Sequence, residues 1–286
     1  MKVLVLGCNG MAGHVVSLHL QDNGFNVTGL ARSQKIGVPT IICDVTDFAK
    51  LQTIIGDGNY DVVINCVGIL NHYAQEHKGN AVLINAYLPH YLAELTADTK
   101  TQVIQISTDC VFSGQRGKYK ETDICDGQTF YDRSKALGEI IDNKNLTIRT
   151  SIIGPDLNPD GIGLLNWFMQ QDGPVYGYTK AIWTGQTTLQ LAKTIEQAII
   201  QKLAGLHHLV PEMQISKYNL LLLCNKYIRK NSIKILPDEN ILIDKSLVRG
   251  EDSFKYSIPG YETMIPELVS WISKHRSLYP HYEIKE

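Results

Sequence analysis

Residues 2–16 read KVLVLGCNGMAGHVV: an apolar run, three glycines spaced three apart, and a second apolar run that begins at His14. The first run is typical of a buried strand and the second of a helix. Glycines at such a junction let the chain turn tightly and let backbone N–H groups approach a pyrophosphate. The first gap is one residue wider than in the common dinucleotide fingerprint. The position of these glycines between a strand and a helix still predicts a nucleotide-binding turn.

The first half of the chain repeats this alternation of strand and helix. Six short runs are almost wholly apolar, as strands buried on both faces of a parallel sheet are. These runs are Val3–Leu6, Phe25–Ala31, Thr40–Cys43, Val62–Val67, Gln102–Ile106 and Leu146–Thr150. Helices are predicted between them, near 11–22, 46–56, 80–98 and 130–143. With right-handed crossovers, this order predicts an α/β fold with a doubly wound, Rossmann-like parallel sheet in residues 1–150.

The pattern changes after residue 150. Residues 154–161 (GPDLNPDG) have the composition of a loop, and apolar residues return at helical spacing in Gln186–Leu203. We therefore predict a smaller C-terminal α/β lobe that binds the substrate, in residues 151–286. The boundary is soft, and the chain is free to cross back to the first lobe.

Composition excludes several classes of function. The 286 residues include 27 Lys and Arg against 29 Asp and Glu, so the formal net charge is −2. Nucleic acid and anionic membranes attract a basic excess, and neither is predicted as a partner. No run approaches the roughly 18 apolar residues of a membrane span, and the N-terminal run is too short for a signal peptide. Six scattered cysteines without a CxxC pair favour free thiols, so we expect a soluble cytoplasmic protein.

The end of the second predicted strand bears on the choice of cofactor. An acid there accepts a hydrogen bond from the 2′-hydroxyl of NAD, whereas an arginine accommodates the 2′-phosphate of NADP. The strand closes on Arg32, and no acid follows before Asp44. This favours NADPH and leaves NADH as the alternative. Asp44 is expected either to accept from the adenine amino group or to cap a helix.

Polar side chains follow the fifth predicted strand and begin the next predicted helix. Thr108 lies in Ser107-Thr108-Asp109 at the carboxyl end of that strand, where open α/β sheets bind ligands. Tyr131 and Lys135 are four residues apart and share one face of a helix. An ammonium beside a phenol favours the phenolate, so we expect Lys135 to lower the pKa of Tyr131.

With these residues the sequence resembles the extended short-chain dehydrogenase/reductase family, and within it the dTDP-4-dehydrorhamnose reductase branch. The resemblance covers most of the chain and includes Asn65–Gly68, Ser107–Asp109, Glu121–Asp123, Tyr131–Glu139, Arg149–Ser151 and Gly205–Val210. It implies that Thr108, Tyr131 and Lys135 form the catalytic triad. The cofactor contacts that it implies, together with the glycine turn, are Gly7, Asn9, Gly10, Met11, Ala12, Gly13, Arg32, Asp44, Val45, Cys66, Val67, Gly68, Tyr131 and Lys135.

The resemblance implies an NADPH-dependent reductase of a nucleotide-activated 4-keto-6-deoxy sugar, acting in deoxysugar or polysaccharide biosynthesis. The expected substrate contacts are Thr108, Asp109, Tyr131 and Trp183. Trp183 is assigned to an aromatic loop, where it either stacks on the substrate or packs beneath the loop. The chain departs from the branch at Cys110, where tyrosine is usual, and near Ile152, where tryptophan is usual. A different nucleotide sugar therefore stays open as the substrate.

Other readings stay open as well. A nucleotide-sugar epimerase shares the fold but normally carries an acid where Arg32 stands. A 4,6-dehydratase needs an acid pair, and here Cys110 follows Asp109. A non-catalytic NADP-binding regulator, such as the β subunit of methionine adenosyltransferase, resembles the same branch. Glu121 resembles family acids associated with a magnesium-bridged dimer, so Mg²⁺ and a homodimer stay open, and no transition-metal site is predicted.

Overall fold

The computed structural model describes residues 1–250 and 254–282. Strands alternate with helices in the first half, as the sequence predicts. The strands are β1 (Lys2–Leu6), β2 (Asn26–Ala31), β3 (Thr40–Ile42), β4 (Val62–Asn65), β5 (Gln102–Ile106) and β6 (Leu146–Arg149). The helices are α1 (Met11–Asp22), α2 (Phe48–Gly58), α3 (Asn71–Glu76), α4 (Lys78–Ala81), α5 (Leu88–Thr96) and α6 (Phe130–Leu137).

Shorter strands and four further helices make up the second half of the described chain. The strands are β7 (Ile152–Ile153), β8 (Val175–Tyr178), β9 (Ala181–Trp183), β10 (Gln186–Thr187), β11 (Gly205–His208), β12 (Ile215–Ser216), β13 (Ile235–Asp238) and β14 (Ile243–Asp244). The helices are α7 (Leu164–Met169), α8 (Thr188–Ile200), α9 (Lys217–Tyr227) and α10 (Tyr261–Lys274). None of the helices in the described ranges is both long enough and apolar enough to span a membrane.

Two helices differ from the sequence prediction. The helix predicted near 80–98 contains a π-helical segment, Val82–Tyr87, between α4 and α5. The helix predicted near 130–143 ends at Leu137, and the chain turns at Gly138. Gly138 lies so close to the π-helix that a Cβ there would come within 1.8 Å of the Asn85 carbonyl oxygen. The short helix α3 is not predicted from the sequence.

The main sheet has seven strands in the order β11-β6-β5-β4-β1-β2-β3, and every adjacent pair is parallel. The prediction of a doubly wound parallel sheet is confirmed. The strand order reverses between β1 and β4, where Leu6 pairs with Asn65. Ligands of open α/β sheets bind beyond the carboxyl ends of the strands at such a reversal.

Side-chain alternation along β1 shows why the sheet is buried on both faces. Val3 and Val5 pack into one hydrophobic cluster, with Val15 of α1. Leu4 and Leu6 pack into a second cluster on the opposite face. Successive side chains of a strand point to opposite faces, so a wholly apolar strand requires a helical layer on each side.

The second half of the chain returns to the first lobe before it ends. Helix α8 packs against α1, and β11 joins the main sheet beside β6. The elements α8 and β11 therefore belong to the Rossmann-like layer, although they lie beyond residue 150. The remaining strands of the second half form small sheets, such as β12-β9-β14, next to α9 and α10.

Candidate active site

The glycine-rich turn connects β1 to α1. Gly7 adopts a left-handed conformation with φ of +75°, which favours glycine. A Cβ on Gly13 would lie 2.1 Å from the Gly7 carbonyl oxygen, so the helix packs directly against the turn only because Gly13 lacks one. Gly10 is the N-cap of α1, and no side chain caps the first N–H groups of this helix. These groups and the positive end of the helix dipole form a site that fits a pyrophosphate.

Asn9 connects this turn to the end of β2. Its Nδ2 donates to the carbonyl oxygen of Ser33 at 2.7 Å, which holds Arg32 next to the turn. Arg32 is exposed, and its guanidinium forms no hydrogen bond or ion pair within the described residues. Hydrogen bonds from Thr46, and more weakly the charge of Arg32, lower the pKa of Asp44. An exposed cation beside a phosphate-binding turn suits a 2′-phosphate.

A cavity of about 550 Å³ extends from the turn past the carboxyl ends of β4 and β5. It collects most of the residues that the sequence predicts for cofactor and catalysis. Those residues are Asn9, Gly10, Met11, Ala12, Cys66, Val67, Gly68, Thr108, Tyr131 and Lys135. Burial raises the pKa of both the Cys66 and Cys110 thiols to about 12, so these cavity-lining thiols stay protonated at neutral pH.

Helix α6 supplies Tyr131 and Lys135 to this cavity. Thr129 and Asp132 form a capping box that starts the helix, since each side chain accepts the other residue's backbone N–H. The Tyr131 ring packs against Ala74 and Ala81 of the neighbouring helices α3 and α4. The Lys135 ammonium donates to the carbonyl oxygen of Ile106, at the end of β5, at 2.7 Å.

Thr108 begins the short 3-10 turn that follows β5. Its Oγ1 accepts from the backbone N–H of Cys110 at 3.1 Å and donates to Asp109 Oδ1 at 3.2 Å. The hydroxyl thus has a fixed position at the cavity wall.

The expected lowering of the Tyr131 pKa is wrong. Burial is the largest effect, and it raises the pKa of Tyr131, while a hydrogen bond with Thr108 opposes the rise. Burial also lowers the pKa of Lys135 to about 8, against the opposing charge of Glu139. The positive charge of Lys135 favours the phenolate, but the low dielectric around both groups disfavours each charged form and outweighs it.

Asn85 of the π-helix positions the loop that follows β4. Its Oδ1 accepts from the backbone N–H of Ile69 at 2.8 Å, and its Nδ2 donates to Ile69 O at 2.8 Å and to Ser134 Oγ at 3.1 Å. This buried amide connects the Cys66–Gly68 wall of the cavity to α6. Asn85 is not predicted from the sequence, because an amide in a helical pattern carries no signal until its partners are known.

Several predicted residues lie outside the cavity wall. Gly7 and Gly13 shape the turn from behind, and Arg32, Asp44 and Val45 stand at the ends of β2 and β3. Asp109 is buried behind Thr108, and burial raises its pKa, against the charges of Lys217 and Lys245.

Trp183 differs most from its prediction. It lies in β9 rather than a loop and is only 3% exposed. Its ring packs near Tyr261, with centroids 5.8 Å apart, and the Lys217 ammonium lies 4.4 Å from the ring centroid. The ring is therefore packed in the interior, and it offers no open face for stacking. Tyr176 and Tyr178, which belong to the same predicted aromatic loop, lie in β8 and are exposed.

The loop after β7 forms a cavity wall, although the sequence predicts only a connection there. Asp156, Asn158 and Ile162 line the cavity from this loop. The backbone N–H of Asp156 donates to the Tyr282 hydroxyl at 2.9 Å, which ties the loop to the C-terminal part of the described chain. The Gly, Asp and Asn content of this loop predicts turns. It does not predict which surface of the protein the turns will face.

The Glu121 carboxylate accepts hydrogen bonds from backbone groups of its own chain. Its Oε1 accepts from the backbone N–H groups of His208 and Gly250, each at 3.0 Å. Within the described ranges, no group of three or more His, Cys, Asp or Glu side chains is arranged to hold a metal ion.

A family model described as the RmlD substrate binding domain matches residues 1–241. The chain belongs to this family. Among curated relatives of this RmlD-family chain, a dTDP-4-dehydrorhamnose reductase of Aggregatibacter actinomycetemcomitans is 31% identical over 157 residues. That match covers 52% of the chain and 51% of the relative. The RmlD-family chain thus spans about half the length of the first curated relatives that it matches.

Solved structures match over a larger share of the chain. A hypothetical dTDP-4-dehydrorhamnose reductase from Sulfolobus tokodaii is 26% identical with a TM-score of 0.74, covering 86% of this chain and 92% of that one. A dTDP-4-dehydrorhamnose reductase from Bacillus anthracis in complex with NADP is 19% identical with a TM-score of 0.80, covering 94% and 99%. The second likeness shows the shared fold.

Proposed function

We propose that this chain is an NADPH-dependent reductase of a nucleotide-activated 4-keto-6-deoxy sugar, of the kind for which its dTDP-4-dehydrorhamnose reductase relatives are named. One observation carries the proposal: Thr108, Tyr131 and Lys135 line the same cavity as the glycine-rich turn. A proton donor beside a dinucleotide site is what ketone reduction requires. A protein that only bound the nucleotide would need no such donor.

Each residue has a distinct task in this proposal. When bound along the glycine-rich turn, NADPH would supply a hydride for the ketone carbon. Tyr131 donates the proton that the ketone oxygen requires, and its raised pKa keeps the phenol protonated at neutral pH. Thr108 turns its single hydroxyl proton from Asp109 Oδ1 to the same oxygen, a contact worth roughly 10²–10³ in rate. Lys135 holds the nicotinamide ribose through its ammonium, and its pKa of about 8 leaves it mostly charged at neutral pH.

The cofactor preference rests on Arg32. The guanidinium is exposed beside the turn, where it would pair with a 2′-phosphate, and no acid occupies the end of β2. We assign NADPH as the preferred cofactor on this basis, with Asp44 and Val45 near the adenine.

The second lobe, which we assign to residues 151–286 apart from α8 and β11, selects the sugar nucleotide in this proposal. Cys110 and Ile152 line the cavity at positions where the resembled branch usually has tyrosine and tryptophan. Smaller side chains leave room for a differently substituted sugar.

The six free cysteines favour a reducing compartment, so we assign the protein to the cytoplasm. A homodimer and a role for Mg²⁺ stay predictions.

The decisive experiment measures NADPH oxidation by the purified chain with dTDP-, UDP- and GDP-linked 4-keto-6-deoxy sugars. Turnover of one of these, with loss of turnover in Tyr131→Phe, is the expected result. Tight NADPH binding without turnover of any sugar would favour a regulatory subunit. Interconversion of two sugars without net NADPH consumption would favour an epimerase.

A further inference from the structure

Glu139 has a buried carboxylate for which the proposed reaction has no direct use. The residue follows α6, four positions after Lys135, and its side chain is 4% exposed. Its Oε1 accepts from Ser107 Oγ at 2.7 Å and from Arg149 Nε at 2.8 Å, and its Oε2 accepts from Arg149 Nη2 at 2.7 Å. Three hydrogen bonds, two of them in a bidentate pair with arginine, fix the carboxylate in one orientation.

These contacts join the elements that line the cavity. Ser107 precedes Thr108 and itself lines the cavity, and Arg149 ends β6 just before the lining residue Thr150. The Arg149 guanidinium also donates to the carbonyl oxygen of Glu121 at 3.2 Å. Buried ion pairs contribute little net stability against an apolar replacement, so stability alone does not account for this one.

The charged and titratable groups around Lys135 come from three elements. Tyr131 and Glu139 belong to α6 and its end, Cys66 follows β4, and Arg149 of β6 lies behind Glu139. The charge of Glu139 opposes the effect of burial on the pKa of Lys135 and is the largest such effect. Burial raises the pKa of the Cys66 thiol to about 12, so that thiol is neutral at pH 7.

We propose that Glu139 is a positioning residue for the reaction: its hydrogen bond holds Ser107, and with it the Thr108 loop, against the end of α6, next to Ile106, whose carbonyl oxygen binds the Lys135 ammonium. A negative carboxylate beside that segment also favours the charged form of Lys135. The link to catalysis rests on the proposed reductase function. The effect of Glu139 on the protonation of Lys135 is independent of that function, and it can be measured in the chain without cofactor.

The first test follows the Lys135 side chain by NMR in cofactor-free protein labelled with ¹³C at lysine Cε. The Lys135 signal is identified by its loss in Lys135→Met. In Glu139→Gln, which keeps the size of the side chain but removes its charge, the titration midpoint of Lys135 is expected to fall on the order of one pH unit. Glu139→Asp keeps the charge and should leave the midpoint near that of the parent.

Glu121→Gln is the matched control. Glu121 is a partly buried acid in contact with the same Arg149 network through its carbonyl oxygen, but its carboxylate accepts from His208 and Gly250. Its removal should leave the Lys135 midpoint in place. An unmoved midpoint in Glu139→Gln, or an equal shift in Glu121→Gln, would overturn the proposal. If Glu139→Gln does not fold, the double variant Glu139→Gln/Arg149→Met is compared with Arg149→Met, so that both proteins lack the cation, and equal Lys135 midpoints in these two variants would overturn the proposal.

The second test is the pH dependence of kcat with the sugar nucleotide that turns over. The alkaline limb should move to lower pH in Glu139→Gln and stay in place in Ser107→Ala, which removes only the hydrogen bond. A uniform fall of kcat at every pH, with an unmoved limb, would reduce Glu139 to a structural role and overturn the proposal. If no sugar turns over, the reductase proposal fails while the NMR midpoint still decides the effect on Lys135.

Discussion

Burial sets the protonation of the two titratable side chains that α6 presents to the cavity. It lowers the pKa of Lys135 to about 8 and raises that of Tyr131. At neutral pH the lysine is therefore mostly a cation, while the tyrosine is a neutral phenol. In the proposed reduction, a neutral phenol is the form that donates a proton, so no activated phenolate is required.

Tyr131→Phe tests the proton donor. The variant keeps the ring that packs on Ala74 and Ala81, so the fold and NADPH affinity should survive. We expect kcat to fall by roughly 10²–10⁴, the usual contribution of a general acid. The exposed Tyr176→Phe in β8 is the control and should retain activity. Near-normal kcat in Tyr131→Phe would show that another group donates the proton.

Lys135→Met tests the cost of the buried charge. Because the pKa of Lys135 is about 8 in the folded chain and about 10.4 in an unfolded one, the unfolded state binds the extra proton between these values. The free energy of unfolding therefore rises with pH in that window, and below pH 8 the charged lysine destabilises the fold by about 3 kcal/mol.

At pH 7 we expect Lys135→Met to be more stable than the parent by about 2 kcal/mol, after the lost hydrogen bond to Ile106 is subtracted. The gain should disappear as the pH approaches 10.4, and turnover should be lost at every pH. Urea unfolding at several pH values measures the difference. Lys193→Met, which removes a surface ion pair with Glu267, is the control and should not be more stable than the parent at pH 7.

Arg32→Asp tests the choice of cofactor. A carboxylate at this position repels a 2′-phosphate and accepts from a 2′-hydroxyl, so the ratio of kcat/KM for NADPH over NADH should invert. Lys35→Asp, an exposed charge reversal three residues away, should leave the ratio unchanged. Equal efficiency with both cofactors in the parent and in Arg32→Asp would remove Arg32 from the cofactor site.

At the scale of elements, the end of α6 is set by its contact with the π-helix. Asn85 binds the loop after β4 and Ser134 of α6, while Gly138 packs on the Asn85 carbonyl. The contact holds the cavity wall and the helix that carries Tyr131 in one arrangement. π-helical segments of this kind are frequent at functional sites.

Gly138→Ala tests this contact. The added Cβ would lie 1.8 Å from a backbone oxygen, so the helices must separate, and we expect a loss of about 1–3 kcal/mol in the free energy of unfolding. Gly79→Ala in α4 is the matched control. Nothing lies within 4 Å of its Cβ position, and the helical propensity of alanine should leave stability unchanged or raise it by up to about 1 kcal/mol. Equal effects at both positions would contradict the close contact.

At the scale of the whole molecule, one hydrophobic cluster runs through both halves of the chain. It joins Val5 of β1 and Val15 of α1 to Ile195 of α8, Trp183 of β9 and Trp271 of α10. Because the same cluster stabilises the main sheet and the C-terminal helices, we expect the two halves to unfold together.

Trp183→Ala tests that continuity. Removing this buried ring should lower the free energy of unfolding by about 3–5 kcal/mol, and calorimetry should still show one transition, at a lower temperature. Two separate transitions would mean that the lobes are independently stable. Since Trp183 lies outside the cavity wall, KM for the sugar nucleotide should change little in the folded variant.

The sequence by itself determined the features that depend on neighbouring residues. The turn at Gly7–Gly13 follows from steric freedom that glycine has wherever it occurs. The shared face of Tyr131 and Lys135 follows from the period of the helix, and the wholly apolar strands indicate a sheet covered on both sides. Each of these features depends on a short segment, so it can be predicted without knowledge of the rest of the chain.

Only the tertiary structure decided what depends on distant contacts. The return of α8 and β11 to the first lobe, the packing of Trp183 beneath Lys217, and the attachment of Asn85 to Ile69 each join residues far apart along the chain. The pKa values of Lys135 and Tyr131 belong to the same class, because burial is a property of everything that surrounds a side chain. A pattern along one segment carries no information about the elements that will cover it.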